Sequence, residues 1–174
     1  MMRGKNIPGA LALVALSACS GPAPQATGHR NPAQTIASAA LFDSERFAGA
    51  WHVVAAYAPE AACGPLAETW VPAGPPGRFR VTGTTCTAAG LRGMDRAAEV
   101  VGPGRIARHG PNGDEALWVL WVDADYRVAV IGTPSGAFGR ILARDPALRS
   151  DLLAAARSIM EFNGYDIRAL LTLN

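Results

Sequence analysis

The stretch FAGAWHVVAAY, residues 47–57, has the residue pattern of a β-strand that is apolar on both faces. Successive side chains of a strand point to opposite faces, so alternate residues share one face. One face of this strand would carry Trp51, Val53, Ala55 and Tyr57. Because the other face is also mostly apolar, both faces need cover. The stretch therefore predicts a strand that lines an interior on one side and meets a second packed element on the other.

Similar short apolar runs, separated by turn residues, follow this strand along the chain. Clear breaks include PAGPPG (residues 72–77) and HGPNGD (residues 109–114). Together with the first run, the candidate strands are WHVVAAY, AETWV, RFRVTGTTC, a run near residues 92–101, RIARH, EALWVLWV, YRVAVIG and FGRILAR. Eight short strands at regular spacing are typical of an all-β protein, either an antiparallel sandwich or an up-and-down barrel.

The segment DPALRSDLLAAARSIMEFNG, residues 145–164, changes to a helical period. Asp145 is placed to cap a helix, and Pro146 suits its first position. Apolar residues recur at steps of three and four, namely Leu148, Leu152, Ala155, Ile159 and Phe162. A single apolar stripe predicts a helix packed against the outside of the sheet. The following YDIRALLTLN is long enough for one more short strand.

The N-terminus resembles an export signal followed by a lipid anchor. Residues 1–18 combine Arg3 and Lys5 with an apolar stretch too short for the roughly 20 residues of a membrane span. Leu16-Ser17-Ala18-Cys19 resembles the lipobox of bacterial lipoproteins, in which the thiol carries a diacylglycerol. The alternative is an ordinary secretory signal with an incidental cysteine. Residues 19–41, rich in Pro, Ala, Ser and Gln, are then expected to form a flexible tether to a domain of residues 42–174.

The charge of the chain bears on the kind of partner that it can bind. Without residues 1–18 the chain keeps 14 basic residues, all arginine, against 14 acidic ones, and no basic stripe argues for a nucleic-acid partner.

In an exported chain, Cys63 and Cys86 favour a disulfide. A hairpin centred near residue 75 pairs residues whose numbers sum to about 150, as those of the two cysteines do. A metal site is the weaker interpretation, since neither cysteine has a close Cys or His neighbour in sequence.

Four features in order resemble the lipocalin family, and within it the bacterial outer-membrane lipoprotein branch. They are Gly49-x-Trp51, DADYRVAVIG (residues 123–132), ILARDP (residues 141–146) and the trailing helix. The resemblance covers residues 42–174 and implies an eight-stranded up-and-down barrel. It also implies that Trp51 plugs the closed end and that Arg144 lies over its ring. Two departures are DADY, where Thr-Asp-Tyr is common, and His52, where an aromatic residue is common.

The resemblance also sets which residues are expected to line the barrel. With the strand phase taken from the family, the candidate ligand-binding residues are Val53, Ala55, Tyr57, Trp118, Leu120, Ala129, Ile131, Phe138 and Arg140. Tyr57 and Trp118 are equally interpretable as packed core residues. An inward Arg140 would meet a carboxylate or phosphate. The alternatives for Arg140 are a solvated side chain or a pair with Asp123 or Asp125.

Signals for catalysis are poor. Ser135 lacks the Gly-x-Ser-x-Gly spacing, and His29, His52 and His109 lack metal-ligand spacing. No catalytic residue, metal or cofactor is therefore predicted. The expected protein is a lipid-anchored carrier of a small hydrophobic ligand such as a fatty acid or lysophospholipid. The alternatives are an enzyme acting on a hydrophobic substrate in the same barrel, and an envelope lipoprotein with a filled barrel that meets a partner through its surface.

The expected location is the cell envelope. Ser20 follows Cys19 where an aspartate would favour retention in the inner membrane, so an outer-membrane anchor facing the periplasm is predicted. The sequence assigns no oligomeric state.

Overall fold

The structure is a computed structural model that describes Met1 and residues 28–87, 89–110 and 113–173. Its eight main strands are β1 (Gly49–Ala56), β2 (Leu66–Pro72), β3 (Arg78–Thr87), β4 (Gly90–Gly102), β5 (Arg105–Gly110), β6 (Gly113–Val122), β7 (Val128–Gly132) and β8 (Gly139–Ala143). Each strand pairs antiparallel with the next, and β1 pairs with both β2 and β8. The predicted closed up-and-down barrel is confirmed.

Three further elements lie around the barrel. They are the short helix α1 (Ser44–Phe47), the helix α2 (Ser150–Phe162) and the strand β9 (Leu171–Thr172). The predicted final strand is confirmed as β9, which pairs with Ala55 and Ala56 outside the ring. No helix among the described residues is long and apolar enough to cross a bilayer.

The strand directions define two ends of the barrel. The closed end carries α1 and the connections at residues 73–77 and 123–127. There Asp43 caps α1 by accepting hydrogen bonds from the backbone N–H groups of residues 45 and 46. The open end carries the connections at residues 57–65 and 133–138, together with the β3–β4 and β5–β6 turns.

Apolar side chains form two separate clusters. The inner cluster fills the closed half of the barrel with aromatic rings. The ring centroid of Phe47 lies 5.1 Å from the ring centroids of both Trp51 and Trp70. The outer cluster lies between the barrel and α2, and includes Ala156 and Met160 of the helix. The outer apolar face of β1 is thus covered by the C-terminal segment, and the sequence of β1 predicts such cover.

The start and the apolar face of α2 differ from the prediction. Asp145 accepts a hydrogen bond from the backbone of Ala147 at 2.9 Å and forms a local turn, so the helix begins only at Ser150. Leu148 therefore lies before the helix and does not set its phase. The buried face passes through Ala156 and Met160, whereas Phe162 is 69% exposed.

Part of the predicted tether packs along the outside of the barrel. Residues 28–39, here called the strap, run from the open end to the closed end. The backbone N–H of His29 donates to the carbonyl of Gly136 at 2.7 Å, and that of Ala39 donates to the carbonyl of Val119 at 2.8 Å. Arg30 is only 4% exposed and bonds to backbone carbonyls, among them that of Asn163 at 3.1 Å. Residues 2–27, which include nearly all of the predicted signal, Cys19 and the first part of the tether, lie outside the described residues.

The predicted disulfide is confirmed. Cys63 and Cys86 are bonded, with their Cα atoms 5.7 Å apart. Cys63 lies in a 3₁₀ turn (Glu60–Cys63) ahead of β2, and not within the strand itself. The bond therefore ties the 57–65 connection to the upper end of β3, at the open end of the barrel.

Candidate functional site

The inward phase predicted for the upper part of β1 is wrong. The pairing of β1 with β8 shifts register between Val53 and Ala55, which marks a bulge. Val53 therefore belongs to the inner cluster, and beyond the bulge Ala56 faces inward. Ala55 and Tyr57 instead join the outer cluster under the C-terminal segment.

The phase predicted for β6 is wrong as well. Leu117 and Val119 belong to the inner cluster, while Trp118 and Leu120 pack in the outer one. A shift of one residue moves every side chain of a strand to its other face, and here the family analogy set the phase one residue off. Trp118 lies outside the ring, with the guanidinium of Arg105 4.5 Å from its ring centroid.

The later strands place their candidates inside. Ala129 and Ile131 on β7 are fully buried in the inner cluster. Arg140 on β8 pairs in register with Ile131, so both side chains point to the same face. Phe138 packs against the inner cluster at the open end.

Arg140 is a buried charged residue in the open half of the barrel and bonds to two glutamates. Its side chain is 1% exposed, and its Nε donates to Glu60 Oε2 at 2.8 Å while its Nη1 donates to Glu68 Oε2 at 2.9 Å. A second bond joins its Nη2 to Glu60. The predicted alternatives for Arg140, a solvated side chain or a pair with Asp123 or Asp125, are therefore wrong. Both aspartates lie at the closed end and pair with Arg127.

A second ion pair lies beside the first. Arg108 is 8% exposed, and its Nε donates to Glu115 at 3.0 Å. The ring of Phe138 sits near both guanidinium groups, 5.1 Å from that of Arg108 and 4.8 Å from that of Arg140. Such contacts stabilise a cation in a dry environment. The polar cluster consists of Arg108, Arg140, Glu60, Glu68 and Glu115, and its formal charges sum to −1.

Burial and pairing act in opposite directions on Arg140. Desolvation is the largest single effect and would lower the pKa, but the hydrogen bond that Arg140 donates to Glu60 and the charges of Glu68 and Glu60 outweigh it and raise the pKa above its ordinary value. The guanidinium therefore stays charged although it is buried. A buried cation of this kind needs an anionic partner at all times, because an unpaired charge in the interior is strongly destabilising.

Two openings lead from solvent to this cluster. The first opening holds about 220 Å³ and is lined by Thr85, Met94, Arg96, Arg108, His109, Gly110, Gly113 and Glu115. The second opening holds about 200 Å³ and is lined by His29, Tyr57, Ala58, Pro59, Glu60, Cys86, Ala137, Phe138 and Gly139. Below both, aromatic side chains fill the barrel. The space inside the barrel that these two openings reach is therefore confined to its open half.

Tyr57, wrongly predicted to face inward, lines the second opening from outside the ring. Its ring stacks on His29 at 4.1 Å, with the two planes 6° apart. The buried Tyr57 hydroxyl has no hydrogen-bond partner among the described residues. Burial raises the pKa of this hydroxyl, so it remains a protonated donor.

Sequence reasoning missed the acidic half of the polar cluster. One signal was present in β2, where Leu66, Glu68 and Trp70 alternate on one face. A carboxylate between two inward apolar residues needs a basic partner inside the barrel. Glu68 accepts a hydrogen bond from Trp70 Nε1 at 2.8 Å in addition to that from Arg140. No comparable local signal marks Glu60, which reaches Arg140 from a connection.

The structure assembles no catalytic or metal constellation from the residues it describes. Among residues 28–87, 89–110 and 113–173, no three His, Cys, Asp or Glu side chains are grouped to hold a metal ion. His109 Nδ1 lies 2.7 Å from Asp114 in a half-exposed pair. Ser135 lies 3.2 Å from the Thr133 hydroxyl in the 133–138 connection. The site as described is a cluster of paired charges beside apolar surface.

Solved structures of similar architecture support the description of the fold. Apocrustacyanin C2 superposes with a TM-score of 0.60 at 14% identity, over 75% of this chain and 78% of that chain. Lobster apocrustacyanin A1 gives a TM-score of 0.58 at 15% identity, with the same coverage of 75% and 78%. The siderocalin Ex-FABP, described as functioning through dual ligand specificities, gives 0.55 at 18% identity over 74% of this chain and 93% of that chain.

At these identities the likeness concerns the fold alone. No curated protein sequence matches the chain. The family model described as a lipocalin-like domain matches residues 42–174, which contain the whole barrel, α2 and β9. The barrel topology, the rings that fill its closed half and this match agree: the chain belongs to the lipocalin-like domain family.

Proposed function

We propose that this lipocalin is a membrane-anchored protein that binds a small hydrophobic molecule with one acidic group, such as a fatty acid or a lysophospholipid, at its open end. The observation that carries the proposal is Arg140, a buried cation inside the barrel whose partner Glu60 sits on a connection at the rim. Lipocalins typically bind small hydrophobic ligands, and Arg140 adds a reason for an acidic one.

The acid of the ligand would replace Glu60 on Arg140. The side chain of Glu60 is 17% exposed, whereas that of Glu68 is fully buried and also holds Trp70. Glu60 is therefore the partner that solvent and ligand can reach. A ligand carboxylate or phosphate accepts the same two parallel N–H bonds, so the exchange leaves the guanidinium paired with an anion.

The apolar part of the ligand would rest on Phe138 and Met94, which flank the two openings. Burial of apolar surface contributes about 25 cal/mol per Å². Each opening is smaller than the roughly 300–1,000 Å³ of a typical ligand pocket. A slender acyl chain suits such openings better than a bulky ring system, and release of Glu60 would enlarge the second opening.

The membrane anchor is proposed from Leu16-Ser17-Ala18-Cys19. Acyl chains on Cys19 would hold the protein at a bilayer that it does not cross, because each buried methylene contributes about 0.8 kcal/mol. Ser20 supports an outer-membrane location facing the periplasm. Such a location would place the barrel beside a source of fatty acids and lysophospholipids.

The test compares dodecanoate with dodecanol, which share a chain and differ in charge, by calorimetric titration of detergent-free protein. Dodecanoate can take the place of Glu60 on Arg140 and dodecanol cannot, so dodecanoate should bind more tightly. Because its bonds replace those of Glu60, the preference should stay below the about 1.5–3 kcal/mol of a newly made charged hydrogen bond. Arg140→Gln should remove that preference, Glu60→Ala should strengthen it, and the exposed Arg92→Gln should leave it unchanged. Equal binding of acid and alcohol by the wild-type protein would contradict the proposal. Mass spectrometry of lipids extracted from the purified protein would identify the ligand class.

A second candidate function is that of a filled barrel whose surface meets a partner. The packing of Phe47, Trp51, Trp70 and Phe79 in the closed half favours it, because these rings leave only the open half for a guest. This function predicts no co-purified lipid and no heat of binding with either dodecanoate or dodecanol.

A further inference from the structure

The strap brings the chain to the open end of the barrel. Gly28 packs so tightly on the 133–138 connection that a Cβ atom at residue 28 would lie 2.4 Å from the carbonyl carbon of Gly136. The backbone of His29 bonds to Gly136 at 2.7 Å, and Arg30 Nη1 donates to the carbonyl of Pro134 at 2.6 Å. Gly28 therefore lies beside the mouth and not beside the closed end.

The distance from this point to the predicted lipid is short. Gly28 follows Cys19 by nine residues, which reach at most about 30 Å when fully extended. β6 has 10 residues, which at about 3.3 Å each and a tilt of about 40° make the barrel about 25 Å tall. Bringing the closed end to the bilayer would need almost the whole reach of the linker, whereas the open end can meet the bilayer without extension.

The rim of the open end has the composition of a surface that tolerates lipid. Over the described parts of its connections and turns (residues 57–65, 87, 89–91, 109–110, 113–114 and 133–138), the exposed titratable side chains are those of His109 and Asp114, which contact each other. The other exposed residues are Ala58, Pro59, Ala62, Pro65, Thr87, Ala89, Leu91, Gly113, Ser135 and Ala137. Leu91 is 51% exposed. Glu60, the acidic residue of the 57–65 connection, is turned inward onto Arg140.

The closed end exposes more charges than the rim. Its exposed charged residues include Asp43, Glu45, Arg46, Arg78, Asp125 and Arg127. Pressing these side chains against a bilayer would strip water from them at a high energetic cost. Leu41, Val71 and Val101 are also exposed there, but they lie among these charges.

We propose that the anchored protein stands on the bilayer with its open end toward the lipid, so that the rim contacts the phospholipid surface. A ligand would then pass between the bilayer and Arg140 without crossing bulk water. The inference rests on the proposed lipid anchor and adds to it an orientation. The occupant of the rim is a phospholipid surface, not a protein.

The test uses the full-length acylated chain in vesicles of phosphatidylethanolamine and phosphatidylglycerol. Ala137→Cys places a fluorescent label on the open rim, and Ala124→Cys is the matched control at the closed end, since both residues are exposed alanines in connections. Spin-labelled lipids in the vesicles should quench the label at residue 137 several-fold more than the label at residue 124. Equal quenching, or stronger quenching at residue 124, would overturn the orientation.

Two further measurements separate the orientation from the anchor. Mass spectrometry of the N-terminal peptide and flotation with vesicles test the lipid on Cys19. A chain that carries no lipid and does not float overturns both the anchor and the orientation, while a floating chain with equal quenching overturns the orientation alone. Arg30→Ala, which releases the strap from Pro134, should keep flotation and reduce the difference between the two labels; an unchanged difference would show that the strap does not set the orientation.

Discussion

Arg144 lies over the indole ring of Trp51, with its guanidinium carbon 3.7 Å from the ring centroid. The same guanidinium donates to the carbonyls of Ala50 at 2.7 Å and of Ala48 at 2.8 Å, and Trp51 Nε1 donates to the carbonyl of Phe47 at 2.8 Å. One side chain therefore seals the closed end and satisfies the backbone where α1 meets β1. The family resemblance implies this stacking, and the carbonyl contacts hold the guanidinium in place over the ring.

Arg144→Ala should destabilise the fold by about 2–4 kcal/mol, since it removes a cation–π contact and several charged hydrogen bonds. Urea unfolding followed by circular dichroism measures the loss. Arg149→Ala is the control, because Arg149 is exposed and contacts only the nearby Asp151; its effect should stay below about 0.5 kcal/mol. A similar decrease in the free energy of unfolding in both variants would show that stacking on Trp51 does not contribute to the stability of the fold.

Replacing Cys63 and Cys86 together by serine should lower the free energy of unfolding by about 3 kcal/mol, because the bond closes a loop between residues separated by 23 positions. The same variant frees the connection that carries Glu60. Urea unfolding of the variant and of the reduced wild-type protein should agree. An unchanged urea midpoint in both would contradict the expected constraint.

His29 should make the stability depend on pH. Burial lowers the pKa of His29 below its ordinary value of 6.5, although the charge of Glu60 opposes the change. The unfolded chain therefore binds this proton at a higher pH than the folded chain, and stability rises with pH across this window. The contribution is full above pH 6.5 and is lost as the pH falls.

The variant His29→Phe keeps the stack on Tyr57 and removes the titration. Unfolding free energies of both proteins, measured between about pH 5 and pH 8, should diverge at the acidic end, where the wild-type protein loses more stability. Parallel curves for the two proteins would rule out a contribution from His29.

Trp70 should report ligand binding, and Trp118 should not. Trp70 Nε1 bonds to Glu68, which in turn pairs with Arg140, so an acid that displaces Glu60 changes the surroundings of the indole. Trp118 lies outside the ring. In a dodecanoate titration, Trp70→Phe should lose most of the fluorescence change, whereas Trp118→Phe should retain it. Calorimetry should show that both variants still bind dodecanoate. A retained fluorescence change in Trp70→Phe would place the ligand away from Arg140.

Features that depend on short-range pattern could be predicted from the sequence. The eight strands follow from apolar runs and turn residues, because each strand buries a face and each turn needs Gly, Pro, Asn or Asp. The bond between Cys63 and Cys86 follows from the register of one hairpin. The position of Arg144 over Trp51 was accessible through family resemblance, which brings together residues far apart in the chain.

The candidate site depends on strand pairing and on contacts between residues far apart in the chain, which the local sequence pattern does not encode. A bulge at Val53–Ala55 reverses the faces of β1, and it arises from pairing with β8 late in the chain. Arg140 meets partners 72 and 80 residues earlier in sequence, so nothing local marks the cluster except the alternation around Glu68.

The amino-acid sequence by itself determined a succession of short antiparallel strands and an outer helix, because period and turn chemistry act over a few residues, and the family resemblance implied a barrel instead of a sandwich. Only the tertiary structure decided which side chains face the interior, that Arg140 is paired with two glutamates, and that the strap returns the chain to the open end. These depend on closing the ring, since closure sets the register between distant strands and, through the register, the face on which each side chain lies.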